Sequence, residues 1–237
     1  MANTLILDAP HHAALFGYLT RETLATLGKD GENAVKEIVI LYGNQRGVRM
    51  AMRATAAGYP LDMVSYNGFR EWQLVNPDSA HTQGEPPKGD ADYHISYSLT
   101  CPWHQAWKAY GMEAEAPYYC RYVDKALLAG FNPNLRLEIP KLLTQGDDCC
   151  EMHWMDYVKT DEDAARIEKI ALENDPVMPW GYHLAHLYCS FIAVLSRYPN
   201  TRDILEKAKA DFLAQFGPNS LVDMEAFLHM NFAALPY

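Results

Sequence analysis

The stretch YGNQRG places glycines at positions 43 and 47. It lies within an amphipathic run over 32–57 whose apolar stripe includes Val35, Ile38, Val39, Tyr42 and Met50. That period predicts a helix ending at Gly58-Tyr59-Pro60. Residues four apart share a helical face, and each interior glycine costs about 1 kcal/mol relative to alanine. A helix carrying that cost needs an offset, either a neighbouring backbone packed into the glycine face or a ligand that reaches the main chain.

Around it the pattern alternates between helical and extended. Residues 9–27 carry Leu15, Tyr18, Leu19 and Leu27 at helical spacing, with Gly28 as the C-cap. Residues 76–90, NPDSAHTQGEPPKGD, are rich in Pro, Gly and polar side chains and read as a loop or linker. YHISYSLTC over 93–101 alternates strictly, with Tyr93, Ile95, Tyr97, Leu99 and Cys101 on one face and His94, Ser96, Ser98 and Thr100 on the other, which predicts a strand. Pro102 opens a short helix closed by Gly111, and Pro117 opens another, PYYCRYVDKALLAG, closed by Gly130. Residues 135–145 and 148–158 read as two strands of a hairpin joined at Gly146-Asp147, with Pro140 confining the first to an edge or a bulge. From Thr160 onward the pattern is helical again.

Helices outnumber strands and the strands cluster mid-chain. The fold class is therefore α+β, a small antiparallel sheet surrounded by helices with a helical C-terminal extension. Residues 1–158 form the α+β core and 159–237 an extension packed on it, as a single domain overall.

The 237 residues are 49% apolar and 21% charged, which supports a sizeable core. The net charge of −10 argues against nucleic acid and anionic membranes as partners, since both recruit Lys and Arg. No apolar run reaches the roughly 18–20 residues of a membrane span. The opening MANTLILDAPHH lacks the basic n-region of a secretory signal. Five cysteines without regular spacing point to free thiols in a reducing cytoplasm.

The densest chemistry is QGDDCCEMHW over 145–154. As a strand it turns Asp148, Cys150, Met152 and Trp154 one way, the better core face, and Cys149, Glu151 and His153 the other. Cys150 alone reads equally well as a small buried core residue. Cys101 stands directly before Pro102 and so caps a helix, where unpaired amides and the positive end of the helix dipole favour a thiolate. His104, three residues on, is a candidate base; the alternative is a strand-end cysteine beside a surface histidine. Cys120 and Asp124, four apart, fall on one helical face, and with Cys101 and Cys150 they suggest three thiols and a carboxylate around one pocket. His183 and His186 read as core or surface residues of the extension. No zinc-ligand spacing, phosphate loop, dinucleotide fingerprint or nucleophile elbow is present, although a distributed zinc site built from Cys101, Cys120, Cys150 and a histidine stays open.

Taken in order, AALFGYL, LYGNQRGVRMA, the CPW after a strand, YYCRYVDKALLAGFNPNL and QGDDCCEMHW resemble the L-2-amino-thiazoline-4-carboxylic acid hydrolase family over about residues 13–156. The resemblance implies an enzyme that opens a cyclic amidine or isothiourea ring at its C=N carbon, giving an N-carbamoyl-cysteine type of product. The matching positions are Arg46, Cys101, Cys120, Asp124, Asp147 and Cys150. Among these, Cys101, then Cys150, is the expected nucleophile and Asp124 its catalytic partner; His104, which the resemblance does not cover, is added from its place beside Cys101 as a carrier of protons. Arg46, Cys120 and Asp147 are expected on the substrate, and His153, from its place in QGDDCCEMHW and not from the resemblance, beside them. Arg46 would clamp the substrate carboxylate and Asp124 its amidine-like N–H groups. No cofactor or metal is expected, and a small molecule is the expected partner, with a homo-oligomer open. The alternatives are a non-catalytic protein that binds a small molecule or tetrapyrrole and regulates a partner, and a zinc-dependent hydrolase.

Overall fold

The computed structural model describes residues 5–75, 83–84, 92–199 and 201–233. Helix α1 (Ala9–Leu27) starts at an Asp8 capping box and stops at Gly28, which adopts φ +56°. Helix α2 (Lys29–Ala56) follows almost at once and starts three residues before the pattern predicts. A short α3 (Met63–Gly68) is capped by Asp62, whose side chain accepts from the Ser65 amide. The predicted loop over 76–90 lies outside the described residues, except that Gln83–Gly84 forms a minimal strand, β1.

Strand β2 (His94–Ser98) leads into α4 (Pro102–Ala109), then α5 (Ala116–Cys120) and α6 (Val123–Phe131). Strands β3 (Leu137–Lys141) and β4 (Cys150–Trp154) are joined through a 3-10 turn, Leu143–Gln145, and Gly146 at φ +92°. The sheet is antiparallel with order β1-β2-β4-β3. Pro140 sits on edge strand β3, at a register irregularity between Glu138 and Lys141, where its missing N–H interrupts no central ladder. Helices α7 (Asp161–Asn174), α8 (Trp180–Leu195), α9 (Thr201–Phe216) and α10 (Val222–Glu225) complete the α+β fold.

The glycine face of α2 meets a backbone. A Cβ on Gly43 would stand 2.8 Å from the Val123 carbonyl oxygen, and one on Gly47 2.0 Å from that of Leu127. From the other side, a Cβ on Gly130 would reach the Asn44 carbonyl oxygen at 2.2 Å. Helices α2 and α6 therefore lie main chain to main chain, and this close packing offsets the cost of the glycines. The contact also corrects two expectations. The single helix predicted from Pro117 is broken at residues 121–122, which frees α6 to lie along α2. Gly130 lies inside α6, where its missing Cβ permits close approach instead of ending the helix.

Two clusters form the core. The larger gathers buried residues from Leu7 to Phe232, including faces of α1, α2, α4, α8 and α9. The smaller lies where α2, α3, α6, α7 and the sheet meet, around Met50, Phe69, Leu128 and Ile170. Among the described residues, no helix is long and apolar enough to cross a membrane.

Candidate active site

A cavity of about 370 Å³ opens between the sheet and the α2–α6 pair, where the two core clusters meet. The sheet presents Cys150, Met152 and Trp154 of β4 together with His94, Ser96 and Ser98 of β2. These residues share one face because the register pairs Ser98 with Cys150, Ser96 with Met152 and His94 with Trp154. The polar side of the alternating β2 pattern is thus the side that lines the cavity.

Arg46 enters from α2 and Asp124 from the first turn of α6, adjacent because Gly43 and Gly47 bring the two helices together. Arg46 is 4% exposed. Among the described residues, its one hydrogen bond runs from Nε to Glu71 Oε2 at 3.4 Å, and its ring-face contact is with Tyr42. Burial opposes its charge, and Tyr42 and Glu71 more than compensate, so its pKa is raised. Asp124 accepts no hydrogen bond from a described residue. Burial raises its pKa from 3.8 to about 6, against a lowering by Arg46.

Three thiols share this cavity. Cys101 is the N-cap of α4, as its place before Pro102 predicts. Burial pushes its thiol up to about 12; the backbone N–H groups of His104 and Trp103 act in the opposite direction without a side-chain capping hydrogen bond, and Cys150 and Asp124 add to the rise. The expected low-pKa thiolate is therefore not found, because desolvation exceeds the stabilisation offered by the helix N-terminus. The Cys120 thiol is raised well above its ordinary value by burial, then by Cys101 and Asp124. Cys120 ends α5 while Asp124 begins α6, so the two meet across a helix break and not on one helical face. Burial also raises Cys150, whose sulfur accepts the Leu143 amide at 3.4 Å.

Three expected residues lie outside the cavity. The half-buried His104 does not line it. His153 is on the opposite face of β4, with Nε2 2.6 Å from Glu151 Oε1 and its ring against Tyr93. Asp147 is exposed and secures the hairpin turn by accepting the Leu142 amide at 2.8 Å.

Glu71, fully buried, escaped the sequence reading. It is ion-paired with Arg46, Arg49 and Arg53, all from α2. Its main-chain oxygen accepts from the Met178 amide and from His183 Nε2. His186 contacts Arg49 and Gln45. Burial lowers His183 to about 3 and His186 well below its ordinary value, so both rings are neutral. Arginines at i, i+3 and i+7 of one helix were the signal available, since a buried face with three cations implies a buried acid. Behind the cavity wall, Trp103 donates to His12 Nδ1 at 3.1 Å, which leaves Nε2–H of His12 to donate to the Tyr42 hydroxyl at 3.0 Å. Among the described residues, no group of three or more His, Cys, Asp or Glu is placed to hold a metal ion.

The family model for L-2-amino-thiazoline-4-carboxylic acid hydrolase matches residues 9–154. The chain belongs to that family. The match runs from the start of α1 to the end of β4 and takes in Arg46, Asp124 and all three cavity cysteines. No curated protein and no solved structure matches the chain. Tyr157, Lys159 and Ile167 line the same cavity from beyond the family match.

Proposed function

We propose that this member of the aminothiazoline-carboxylate hydrolase family opens a cyclic isothiourea carrying a carboxylate, through a cysteine nucleophile. The observation that supports the reading is the meeting, in one cavity, of a buried guanidinium whose terminal nitrogens bond no described residue, a carboxylate that accepts no hydrogen bond from a described residue, and a thiol at a helix N-cap position. The substrate carboxylate binds the terminal nitrogens of Arg46 in bidentate fashion. The protonated amidine of the ring donates its N–H groups to Asp124. Its positive charge, arriving beside a desolvated thiol, favours loss of the thiol proton to Asp124.

The Cys101 sulfur then attacks the carbon between the ring nitrogen and the ring sulfur. Collapse of the tetrahedral adduct breaks the bond to the ring sulfur, which leaves as a thiol with the proton held by Asp124. An amidino-thioether on Cys101 remains. Water adds to the same carbon, giving up a proton to Asp124. The Cys101 thiol is expelled with that proton, and the carbon is left as the carbonyl of an N-carbamoyl-cysteine type of product. Cys101 is preferred over Cys150 because it holds the N-cap position of α4, where the open amides of the first turn and the helix dipole favour a developing thiolate.

Mass spectrometry of protein quenched during turnover is expected to show the amidino adduct on the peptide containing Cys101. Undiminished activity in a Cys101→Ala, Cys150→Ala double variant would remove the thiol mechanism.

A further inference from the structure

The cavity has two chemically distinct ends. Gly43 of α2 packs on Val123 and Leu127 of α6, and Gly47, one turn later, packs on Leu127 and Phe131, so the two helices run in the same direction. Along both, the cavity-facing residue changes from polar to apolar over the same step, from Arg46 to Met50 and from Asp124 to Leu127. One helical turn advances about 5.4 Å. The apolar end therefore begins one side-chain layer beyond the proposed carboxylate and amidine contacts. Met63 of α3, Trp154 of β4 and Ile167 of α7 extend it, while Tyr66, whose hydroxyl interacts with Asp124 and Arg46, and Asn67, Arg70, Tyr157 and Lys159 add polar groups to the lining. Met50, Met63 and Leu127 are each no more than 8% exposed, so a ligand there meets a dry surface.

A 2-aminothiazoline-4-carboxylate is a single small polar ring, whose polar groups are all matched by the Arg46 and Asp124 end. The cavity volume of about 370 Å³ falls in the range of roughly 300–1,000 Å³ that holds drug-sized ligands. The gain at the apolar end comes from the ligand: an apolar substituent on the ring would leave water for a surface that is already dry, whereas a ligand confined to the polar end leaves that space without a packing partner.

We propose that the substrate is a cyclic isothiourea carboxylate bearing an apolar substituent of aryl size, and that this substituent occupies the end formed by Met50, Met63, Leu127, Trp154 and Ile167. The proposal rests on the ring-opening reading for the polar end and adds the substrate class. Ile167 lies beyond the segment matched by the family model, so part of the selecting surface belongs to this chain's own C-terminal region.

The probes are 2-aminothiazoline-4-carboxylate and its 5-phenyl derivative, compared by calorimetric binding to the Cys101→Ala variant and by initial rates with the wild-type protein. The phenyl compound is expected to bind at least about tenfold more tightly, the gain that burying a phenyl ring supplies. Ile167→Trp, which fills the apolar end from its half-exposed side, is expected to reduce that ratio to near unity, and Ile167→Ala to leave the phenyl compound preferred. Equal or weaker binding of the phenyl compound overturns the proposal, even if the small ring is turned over and the hydrolase reading stands. Preferred binding of the phenyl compound with no turnover of either supports the apolar end and overturns the hydrolase reading. Binding of neither overturns both.

Discussion

Replacing Asp124 by asparagine separates the function of this carboxylate from its cost to the fold. Burial raises the group from 3.8 to about 6, against the lowering by Arg46. Below the ordinary value both the folded and the unfolded chain hold the proton, and the site costs nothing. As the pH rises through the folded value, the unfolded chain carries the charge in water while the folded one carries it in a desolvated cavity. The stability present at acid pH is lost over that interval, by about 3 kcal/mol at about 1.4 kcal/mol per tenfold change in proton affinity. Asparagine resembles the protonated acid and carries no charge. The variant is therefore expected to match the wild type near pH 4 and to exceed its stability by about 3 kcal/mol near pH 8. It loses the proton carrier and amidine partner, so hydrolysis is expected to fall by about 10²–10⁴-fold. Urea unfolding of both proteins at the two pH values measures the effect as a difference in midpoint at common slope, with the titrations of distant groups cancelling. A variant no more stable than the wild type at alkaline pH would refute the reasoning. It would mean that Arg46 already compensates the carboxylate, leaving neither group available to a substrate.

Two further substitutions probe the framework. Glu71→Gln leaves Arg46, Arg49 and Arg53 without their shared buried carboxylate. It is expected to lower stability by about 3–5 kcal/mol, read by urea unfolding; a neutral outcome would mean that other anions balance the arginines. Gly47→Ala places a methyl group 2.0 Å from the Leu127 carbonyl oxygen and 2.6 Å from the Phe131 amide nitrogen, both rigid backbone atoms. Strain of about 1–3 kcal/mol or more should exceed the roughly 1 kcal/mol that alanine gains in a helix. Its melting temperature should fall, and its activity should fall with it as α6 is pushed away carrying Asp124; a higher melting temperature would contradict the close contact.

The local rules of the chain were legible to within a few residues. The bounds of α1 follow from its apolar spacing and the terminal glycine, and the place of Cys101 at a helix start follows from Pro102. Pro140 marks an edge strand because it lacks a ladder donor. Alternation sorts Cys150, Met152 and Trp154 onto one face of β4 and His153 onto the other. What alternation omits is which face the helices cover. For β2 the cavity lies on the side of the serines and His94 and not on that of Ile95 and Tyr97.

By itself, then, the sequence determined the elements, their caps and turns, the α+β class and the set of side chains able to do sulfur and carboxylate chemistry. Each of these depends on neighbours within a turn or two of the chain. The tertiary structure decided that Arg46 and Asp124 meet, that Glu71 holds three arginines, that His104, His153 and Asp147 stand outside the cavity, and that every cavity cysteine is held as a thiol. Those outcomes depend on burial and on charges brought together from distant parts of the chain. Desolvation is a property of the surrounding volume, and no spacing along the chain records it.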